Sequence, residues 1–406
     1  MRQSRIGAVR NWIAEMRYAI KQFPLVHKAL WWLRRKACQS MMGWLRNAVR
    51  PLSPRSGWIG LPRGWYSSYE LLCRRPPLLE GRVILEDQGT PSLPEHARSL
   101  LAVRREDQEQ PWPVFWTRSK NARLVGSSLG HLNERKQLCV ESAYRHLRVK
   151  QDPAYNYLVM RPPVHLSGAW TSIVSHWVPN NEPKPYGDWL LDALPRLALL
   201  HEFPSDVRII VPAHQLRYRV ESLRLLGVLD RCRWTPEKHL LVEDYYFSSP
   251  TTMVACYNPY GVDFLRASFL PFANGAPATP ARFYLRRTGS ARNVANEPEL
   301  LDFFRAAGWS IIDTATLGLV EQIQLFAGAE AICAIHGSGL ANAVWCPAGC
   351  QVVELFADAY LAGCHEWICH CVKAGHHAVI CPSDHKLNAL VDLARLRELL
   401  QSLRIL

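Results

Sequence analysis

The segment AICAIHGSGLAN, residues 331–342, gives the clearest indication of the fold. A short apolar run ends at His336, glycines follow at positions 337 and 339, and a second apolar run begins at once. A buried strand that enters a tight turn and then a helix is typical of a parallel α/β layer. Gly337 and Gly339 can adopt positive φ and allow a ligand to approach the backbone closely.

The same turn is a candidate anion site. Free backbone N–H groups of the following helix would point past the carboxyl end of the strand, where the helix dipole favours negative charge. A tight turn with a structural histidine is the alternative. The residues assigned to this diphosphate site are His336, Gly337, Ser338, Gly339, Leu340 and Asn342.

Strands and helices alternate on both sides of the turn, which predicts an α/β fold with parallel sheets. Upstream, helices are predicted at 189–203 and 217–226, and strands at 207–211 and near 245–247. Downstream, strands are predicted at 282–286, 309–313, 331–335 and 351–356, and helices at 297–307, 319–327, 339–345 and 387–403. The Pro-rich stretch at 273–280 reads as a linker. We therefore predict an arm at 1–60, α/β domains at 61–272 and 281–385, and a terminal helix at 386–406.

Charged residues near the predicted strand ends extend the candidate site. Arg286 and Arg287 end the strand at 282–286, Arg292 follows, and Glu297 opens the next helix. Guanidinium groups beside the turn could neutralise a diphosphate, although a basic surface turn is the alternative. Glu354, at the end of an apolar strand, could hold a ribose hydroxyl, or could serve as a cap or salt-bridge partner.

Two carboxylates provide a candidate general base. Asp188 and Asp192 are four residues apart and so share one helix face. Such a pair could activate an acceptor hydroxyl. Alternatively, one caps the helix and the other pairs with Arg196.

The net charge of +13 is concentrated in the arm. Residues 1–60 hold twelve basic residues and one acid, a net +11, which leaves +2 for the other residues. Apolar residues recur every three or four positions in 6–50, among basic residues and tryptophans, as in a helix that lies on an anionic membrane. Docking on the protein body and nucleic-acid binding are the alternatives, and the nearly neutral body argues against a nucleic-acid-binding protein.

Neither a metal nor a disulfide framework is expected. Twelve cysteines in 406 residues are too dilute for a disulfide scaffold, and no secretory leader is evident, so we expect a cytoplasmic protein. Seven cysteines follow residue 330 among several histidines, but no spacing matches a usual zinc motif. An Asp-x-Asp motif is also absent from the sequence.

Four ordered motifs resemble glycosyltransferase family 61, whose bacterial members are often labelled capsular polysaccharide biosynthesis proteins. The resemblance covers roughly residues 165–385. The motifs are Tyr-x-x-Trp-Leu-x-Asp-x-Leu-Pro-Arg from Tyr186, Tyr-x-x-Arg from Tyr284 with Arg292 and Asn296-Glu297, His-Gly-x-Gly-Leu-x-Asn from His336, and Pro-x-Gly-x-x-Val-Val-Glu from Pro347.

The resemblance implies two Rossmann-like domains in a GT-B-like pair, a nucleotide-sugar donor as substrate and inverting transfer. Asp192 would lie nearest the acceptor. Asp188 replaces a common His, Arg286 a common Ser and Ser338 a common Ala. The residues that would hold the donor nucleotide are Arg287, Arg292, His336, Gly337, Gly339, Asn342 and Glu354.

These observations predict a glycosyltransferase of surface polysaccharide biosynthesis. It would use a glycan or lipid-linked acceptor, rest on the inner face of the plasma membrane through residues 6–50, and bind no nucleic acid. Asp188, Asp192 and His336 are the predicted catalytic residues. A non-catalytic α/β protein that binds a nucleotide or glycan is the alternative.

Overall fold

The computed structural model describes residues 64–86, 113–142, 162–181, 183, 186–253, 256–275, 278–287 and 292–406. The arm predicted at residues 1–60 lies outside these ranges, so its contact with a membrane stays a prediction. Within the described ranges, no helix is both long enough and apolar enough to cross a bilayer.

The described residues form a mixed α/β structure, as the alternation of strands and helices predicts. The first strands are β1 (Gly64–Tyr66), β2 (Glu80–Leu85), β3 (Val114–Val125), β4 (Gly130–Leu132), β5 (Gln137–Cys139), β6 (Val164–Ser172), β7 (Arg208–Pro212) and β8 (Cys232–Thr235). The later strands are β9 (His239–Ser248), β10 (Thr252–Met253), β11 (Cys256–Tyr257), β12 (Arg282–Leu285), β13 (Ser310–Ile312), β14 (Ala331–Ile335), β15 (Gln351–Ala357) and β16 (Gly375–Cys381).

The helices pack on the faces of the sheets. The α-helices are α1 (Ser68–Cys73), α2 (Tyr186–Asp188), α3 (Arg217–Leu225), α4 (Pro259–Phe269), α5 (Glu297–Ala306), α6 (Leu319–Ala327), α7 (Cys364–Val372) and α8 (Leu393–Ser402). The 3₁₀ helices are Val140–Ser142, Leu194–Glu202, Leu229–Arg231, Leu270–Ala273, Thr314–Thr316 and Ser338–Trp345. Helix α2 continues through a π-helical turn, Trp189–Ala193, into the 3₁₀ helix at Leu194–Glu202. Pro195 lacks a backbone N–H, so the regular α-helical ladder cannot continue through it.

The first sheet has a parallel part and an antiparallel part. Strands β9, β6, β7 and β8 are parallel neighbours in that order. On the other side of β9, antiparallel β3 continues the sheet toward β4, β5 and β1, and β2 also pairs with β3. The strand predicted near 245–247 is thus the end of a longer one, His239–Ser248.

The second sheet is entirely parallel, in the order β13-β12-β14-β15-β16. The chain moves from β12 to β13 on one side and then returns past β12 to β14 on the other. Strand order therefore reverses between β12 and β14, which opens a crevice at their carboxyl ends.

One buried core extends across the contact between the two sheets and their helices. It contains Trp189 and Leu223 from the first part of the chain, and Ile332 and Trp345 from the second. Helices α5 and α8 cover the other face of the second sheet. The segment at 273–280 separates the two sheets along the chain but not the apolar core, and the predicted domain bounds stay a prediction.

The predicted terminal helix at 387–403 begins too early. Helix α8 starts only at Leu393, because the Asp392 carboxylate accepts hydrogen bonds from the backbone N–H groups of residues 394 and 395. The residues before it pair with another segment instead: the Ala389 N–H donates to the Asn293 carbonyl, at 2.8 Å. These long-range bonds hold residues 389–391 outside the helix.

Candidate active site

The glycine turn lies at the point where strand order reverses. Gly337 follows β14 by two residues, and Arg286 and Arg287 follow the neighbouring β12 directly. Ligands of open parallel sheets bind outside the carboxyl ends of the strands at such a point. The structure therefore brings the predicted turn and two predicted arginines to one sheet edge.

A cavity of about 330 Å³ lies over this edge. One wall belongs to the second sheet and its loops, and the facing wall comes from α2 and α3. The residues of the first wall include Arg286, Arg287, Gly337, Ser338, Gly339 and Leu340. The facing residues are Tyr186, Arg217, Tyr218 and Glu221.

Arg287 packs directly against the turn. Its Nη1 donates a hydrogen bond to the His336 carbonyl, at 2.6 Å. A Cβ atom at Gly337 would collide with this guanidinium group. Burial, followed by the nearby Arg292 guanidinium, lowers the pKa of Arg287 from its ordinary value. The cavity edge thus holds guanidinium groups close enough to repel each other, an arrangement that an anion would stabilise.

The glycines of the turn do not use the positive φ that is open to them. Gly337 has φ 174°, which is extended backbone, and Gly339 is not among the glycines with positive φ. Gly339 allows close packing instead, because a Cβ atom there would lie 3.1 Å from Leu285 Cδ2. A Cβ atom at Gly187 would make only an ordinary contact of 3.4 Å with the Cβ of Ala341.

The Asn342 side chain connects α2 to the glycine turn through hydrogen bonds. It is fully buried, and its Oδ1 accepts hydrogen bonds from the Tyr186 hydroxyl (2.8 Å) and Trp345 Nε1 (3.0 Å). Its Nδ2 donates to Gln322 Oε1 (2.8 Å) and to the Gly339 carbonyl (3.1 Å). An amide has capacity for two donated bonds and two accepted ones. All of it is used by the protein, and these bonds link α2 to the turn. Direct contact of Asn342 with the donor stays a prediction.

Glu354 is the centre of a buried histidine cluster. Its side chain is fully buried, and Oε1 accepts hydrogen bonds from Nδ1 of His336 and Nδ1 of His365, both at 2.6 Å. His376 Nε2 bonds to Oε2 at 2.7 Å. Both carboxylate oxygens therefore accept hydrogen bonds from within the protein, and the ribose contact expected of Glu354 stays a prediction.

The charges of this cluster follow from its contacts. Burial opposes ionisation of Glu354, but His365 and His336 lower the pKa of this carboxyl well below its usual range. Burial is the largest influence on His336 and lowers its pKa. Burial also disfavours the charged form of His365, yet Cys364 and Glu354 together raise its pKa well above the ordinary value. Glu354 is thus an anion at neutral pH, held beneath the glycine turn.

The predicted carboxylate pair divides into two environments. Asp192 is 4% exposed; it accepts a hydrogen bond from Ser175 Oγ and pairs with Arg196 Nη2 at 3.2 Å. The pairing of Asp192 with Arg196 is one half of the alternative that the sequence left open, whereas the Asp188 side chain makes no cap hydrogen bond. Asp188 is partly buried, and after burial itself it is among the groups that raise the pKa of Tyr218, which lines the cavity. Neither carboxylate belongs to the cavity wall.

The remaining predicted residues lie around the arginines. Arg286 is half-exposed and pairs with Glu297 at 3.3 Å, so Glu297 orients a cavity residue from outside the wall. Arg292 has φ 65° and its guanidinium carbon lies 4.3 Å from the centre of the Tyr360 ring. Its Nη1 is buried, with no hydrogen-bond partner among the residues that the structure describes.

Sequence reasoning missed the facing wall. Arg217, Tyr218 and Glu221 begin helix α3, which follows the parallel strand β7. The Glu221 carboxylate accepts from Arg217 Nε (2.7 Å) and from the Leu319 backbone N–H (2.9 Å). Polar residues just past a parallel strand gather at the carboxyl edge of the sheet, and that rule would have identified them.

Residues 186–353 match the protein-family model described as Glycosyltransferase 61. The matched segment contains both walls of the cavity and ends one residue before Glu354. It supports the resemblance of the four motifs to this family, and with it glycosyltransferase activity. No curated protein matches the chain.

Proposed function

We propose that the chain transfers a sugar from a nucleotide-sugar donor to a glycan or lipid-linked acceptor, with inversion at the anomeric carbon. The family match over residues 186–353 supports the transfer activity. The proposal includes a GT-B-like pair of units, a role in capsular or other surface polysaccharide biosynthesis, and attachment to the cytoplasmic face of a membrane through residues 6–50.

The cavity at the carboxyl ends of β12 and β14 is the main structural observation that supports this proposal. Its volume of about 330 Å³ lies at the lower end of the range of small-molecule sites, about 300–1,000 Å³. Its two walls come from different sheets, as a site for a donor on one side and an acceptor on the other requires. Arginines on both walls favour an anionic ligand.

The positive charge of the arginines at the cavity suits a diphosphate leaving group. Inverting transfer breaks the bond between the anomeric carbon and the diphosphate oxygen while the acceptor oxygen attacks from the opposite face. Arg286 and Arg287 would stabilise the negative charge that develops on the diphosphate, together with backbone N–H groups of Ser338 and Gly339. Nη1 of Arg292, which has no hydrogen-bond partner within the described part of the chain, is a further donor for this charge.

We assign the acceptor-side base to Asp188 rather than Asp192. Asp192 is held between Ser175 and Arg196, so it orients the helical segment. Asp188 is partly exposed next to Tyr218 of the cavity wall. A base must reach the acceptor hydroxyl in the complex, within about 2.6–3.2 Å or through one water.

Calorimetric titration with nucleoside diphosphates tests the donor site. Arg286→Ala should weaken binding about 10- to 100-fold, because a hydrogen bond to a charged group is worth about 1.5–3 kcal/mol. Arg305→Ala is the matched control, since Arg305 is exposed and pairs with Asp302 away from the cavity. Equal affinity of Arg286→Ala and the wild type would contradict the phosphate role.

Turnover of the bound donor distinguishes the transferase from a nucleotide-binding protein. Asp188→Asn should lower the rate of sugar transfer at least 100-fold while leaving nucleoside diphosphate affinity within about twofold, as loss of a general base does. Binding of nucleotide sugar by the wild type without transfer to any glycan or lipid-linked acceptor would favour the non-catalytic alternative.

A further inference from the structure

Two imidazoles and one thiol converge above the Glu354 carboxylate. His336 follows β14, and Cys364 and His365 begin helix α7. One donor atom of each residue lies within 4.8 Å of the corresponding atoms of the other two. Zinc bonds of about 2.0 Å to nitrogen and 2.3 Å to sulfur place neighbouring ligand atoms about 3.3–3.7 Å apart in a tetrahedron, so side-chain rotations of about 1 Å would close the site.

The hydrogen bonds to Glu354 leave both imidazoles ready to bind a metal. An ionised carboxylate only accepts hydrogen bonds, so one proton of each ring lies on Nδ1, which faces Oε1 at 2.6 Å in His336 and in His365. Each ring can then offer Nε2 to a metal ion, which displaces any proton held on that nitrogen. A histidine ligand whose other nitrogen donates to a carboxylate is the common arrangement around protein metals, since it fixes the ring and raises its basicity.

The burial and charge of the cluster also suit a cation. Glu354 is fully buried, and His336 and His365 are 8% and 4% exposed. A buried carboxylate is costly unless a positive charge balances it. A divalent cation on a Cys364 thiolate leaves one positive charge, which the Glu354 carboxylate neutralises. Cys364 is only partly buried, so an ion can enter from its side.

We propose that His336, Cys364 and His365 bind one zinc-class divalent cation, with Glu354 as the carboxylate behind both histidines. A thiolate and two imidazoles favour zinc over magnesium or calcium, which prefer oxygen ligands. Three protein ligands leave a fourth position for water or another group. Because His336 immediately precedes Gly337, the ion would fasten the glycine turn to α7. The inference stands independently of the transferase proposal.

Cobalt titration of the full-length, metal-stripped protein tests the site directly. Co²⁺ serves as the probe, because a cobalt–thiolate bond gives a charge-transfer absorption that nitrogen and oxygen ligands do not. We expect the absorption to saturate at about one cobalt per chain, and zinc to displace the cobalt and abolish the band. Cys364→Ser should remove the band.

Cys371→Ser is the matched control. Cys371 lies on the same helix, is also partly buried, and its Sγ donates to the Tyr257 carbonyl rather than joining the cluster. It should keep the band and the stoichiometry. Circular dichroism will establish that both variants are folded, and Ser at the first position of α7 suits a helix N-terminus. Absence of a band in the wild type, or a band of equal intensity in Cys364→Ser, would overturn the proposal.

Discussion

Replacing Asn342 by leucine removes the hydrogen bonds that connect α2 to the glycine turn. Leucine has nearly the shape of asparagine but none of its polar atoms, so the four hydrogen bonds to Tyr186, Trp345, Gln322 and the Gly339 carbonyl are lost. Trp345 and Gln322 are 1% and 7% exposed, and water cannot reach them freely once their partner is gone.

The expected loss of stability follows from those partners. A buried polar group left without a partner costs about 1–3 kcal/mol. Three side chains lose their partner, and relaxation of the partly exposed Tyr186 recovers some of the cost. We therefore expect Asn342→Leu to lower the free energy of unfolding by about 3–5 kcal/mol. Tyr186→Phe breaks one of these bonds only and should cost about 0.5–1.5 kcal/mol.

Urea denaturation followed by far-UV circular dichroism and tryptophan fluorescence measures both variants. The slope of the free energy against urea should stay constant, since a changed slope would signal a change in the unfolded or native ensemble. A decrease in the free energy of unfolding below about 1 kcal/mol for Asn342→Leu, or equal decreases for the two variants, would refute the idea that the hydrogen bonds of Asn342 hold α2 and the turn together.

Three further expectations concern the turn, the arm and pH. Gly337→Ala should displace the Arg287 guanidinium from the His336 carbonyl and lower the free energy of unfolding by about 1.5–3 kcal/mol; an unchanged urea midpoint would contradict this. Deletion of residues 1–50 should abolish co-sedimentation with anionic liposomes, whereas salt-sensitive DNA binding lost by the same deletion would favour a nucleic-acid arm. Burial lowers the pKa of His131 to about 4, so the histidine of the unfolded chain is protonated first as the pH falls below about 6.5. The free energy of unfolding should therefore fall by about 2 kcal/mol between pH 8 and pH 5. His131→Gln should lose this part of the pH dependence, and equal pH profiles of the variant and the wild type would contradict the role of His131.

The parts of the second sheet nearest the turn were predictable from sequence. Ala331–Ile335 and Leu319–Ala327 have the predicted bounds, because a continuous apolar run indicates a buried strand and a three-to-four-residue apolar spacing indicates a helix. Helix α7 and strand β16 were missed, since their Cys, His and Trp residues form neither pattern clearly. Their burial depends on packing against a sheet that lies elsewhere in the sequence.

The roles of individual site residues were harder to predict than their location. Asn342 and Glu354 were placed near the turn, yet some of their hydrogen-bond partners lie 20 or more positions away, among them Gln322 and His376. Spacing along the chain gives no information on such partners. The histidine cluster illustrates this, because His336 and His365 come from unrelated segments and meet only in the folded chain.

A crystal structure of the full-length protein with a bound nucleoside diphosphate would show directly whether the crevice between β12 and β14 is the donor site. We predict that the phosphates lie over the carboxyl ends of β12 and β14, within hydrogen-bonding distance of Arg286 or Arg287 and of the backbone N–H groups of Ser338 and Gly339. A nucleotide bound elsewhere, with both arginines making no contact to it, would contradict the account.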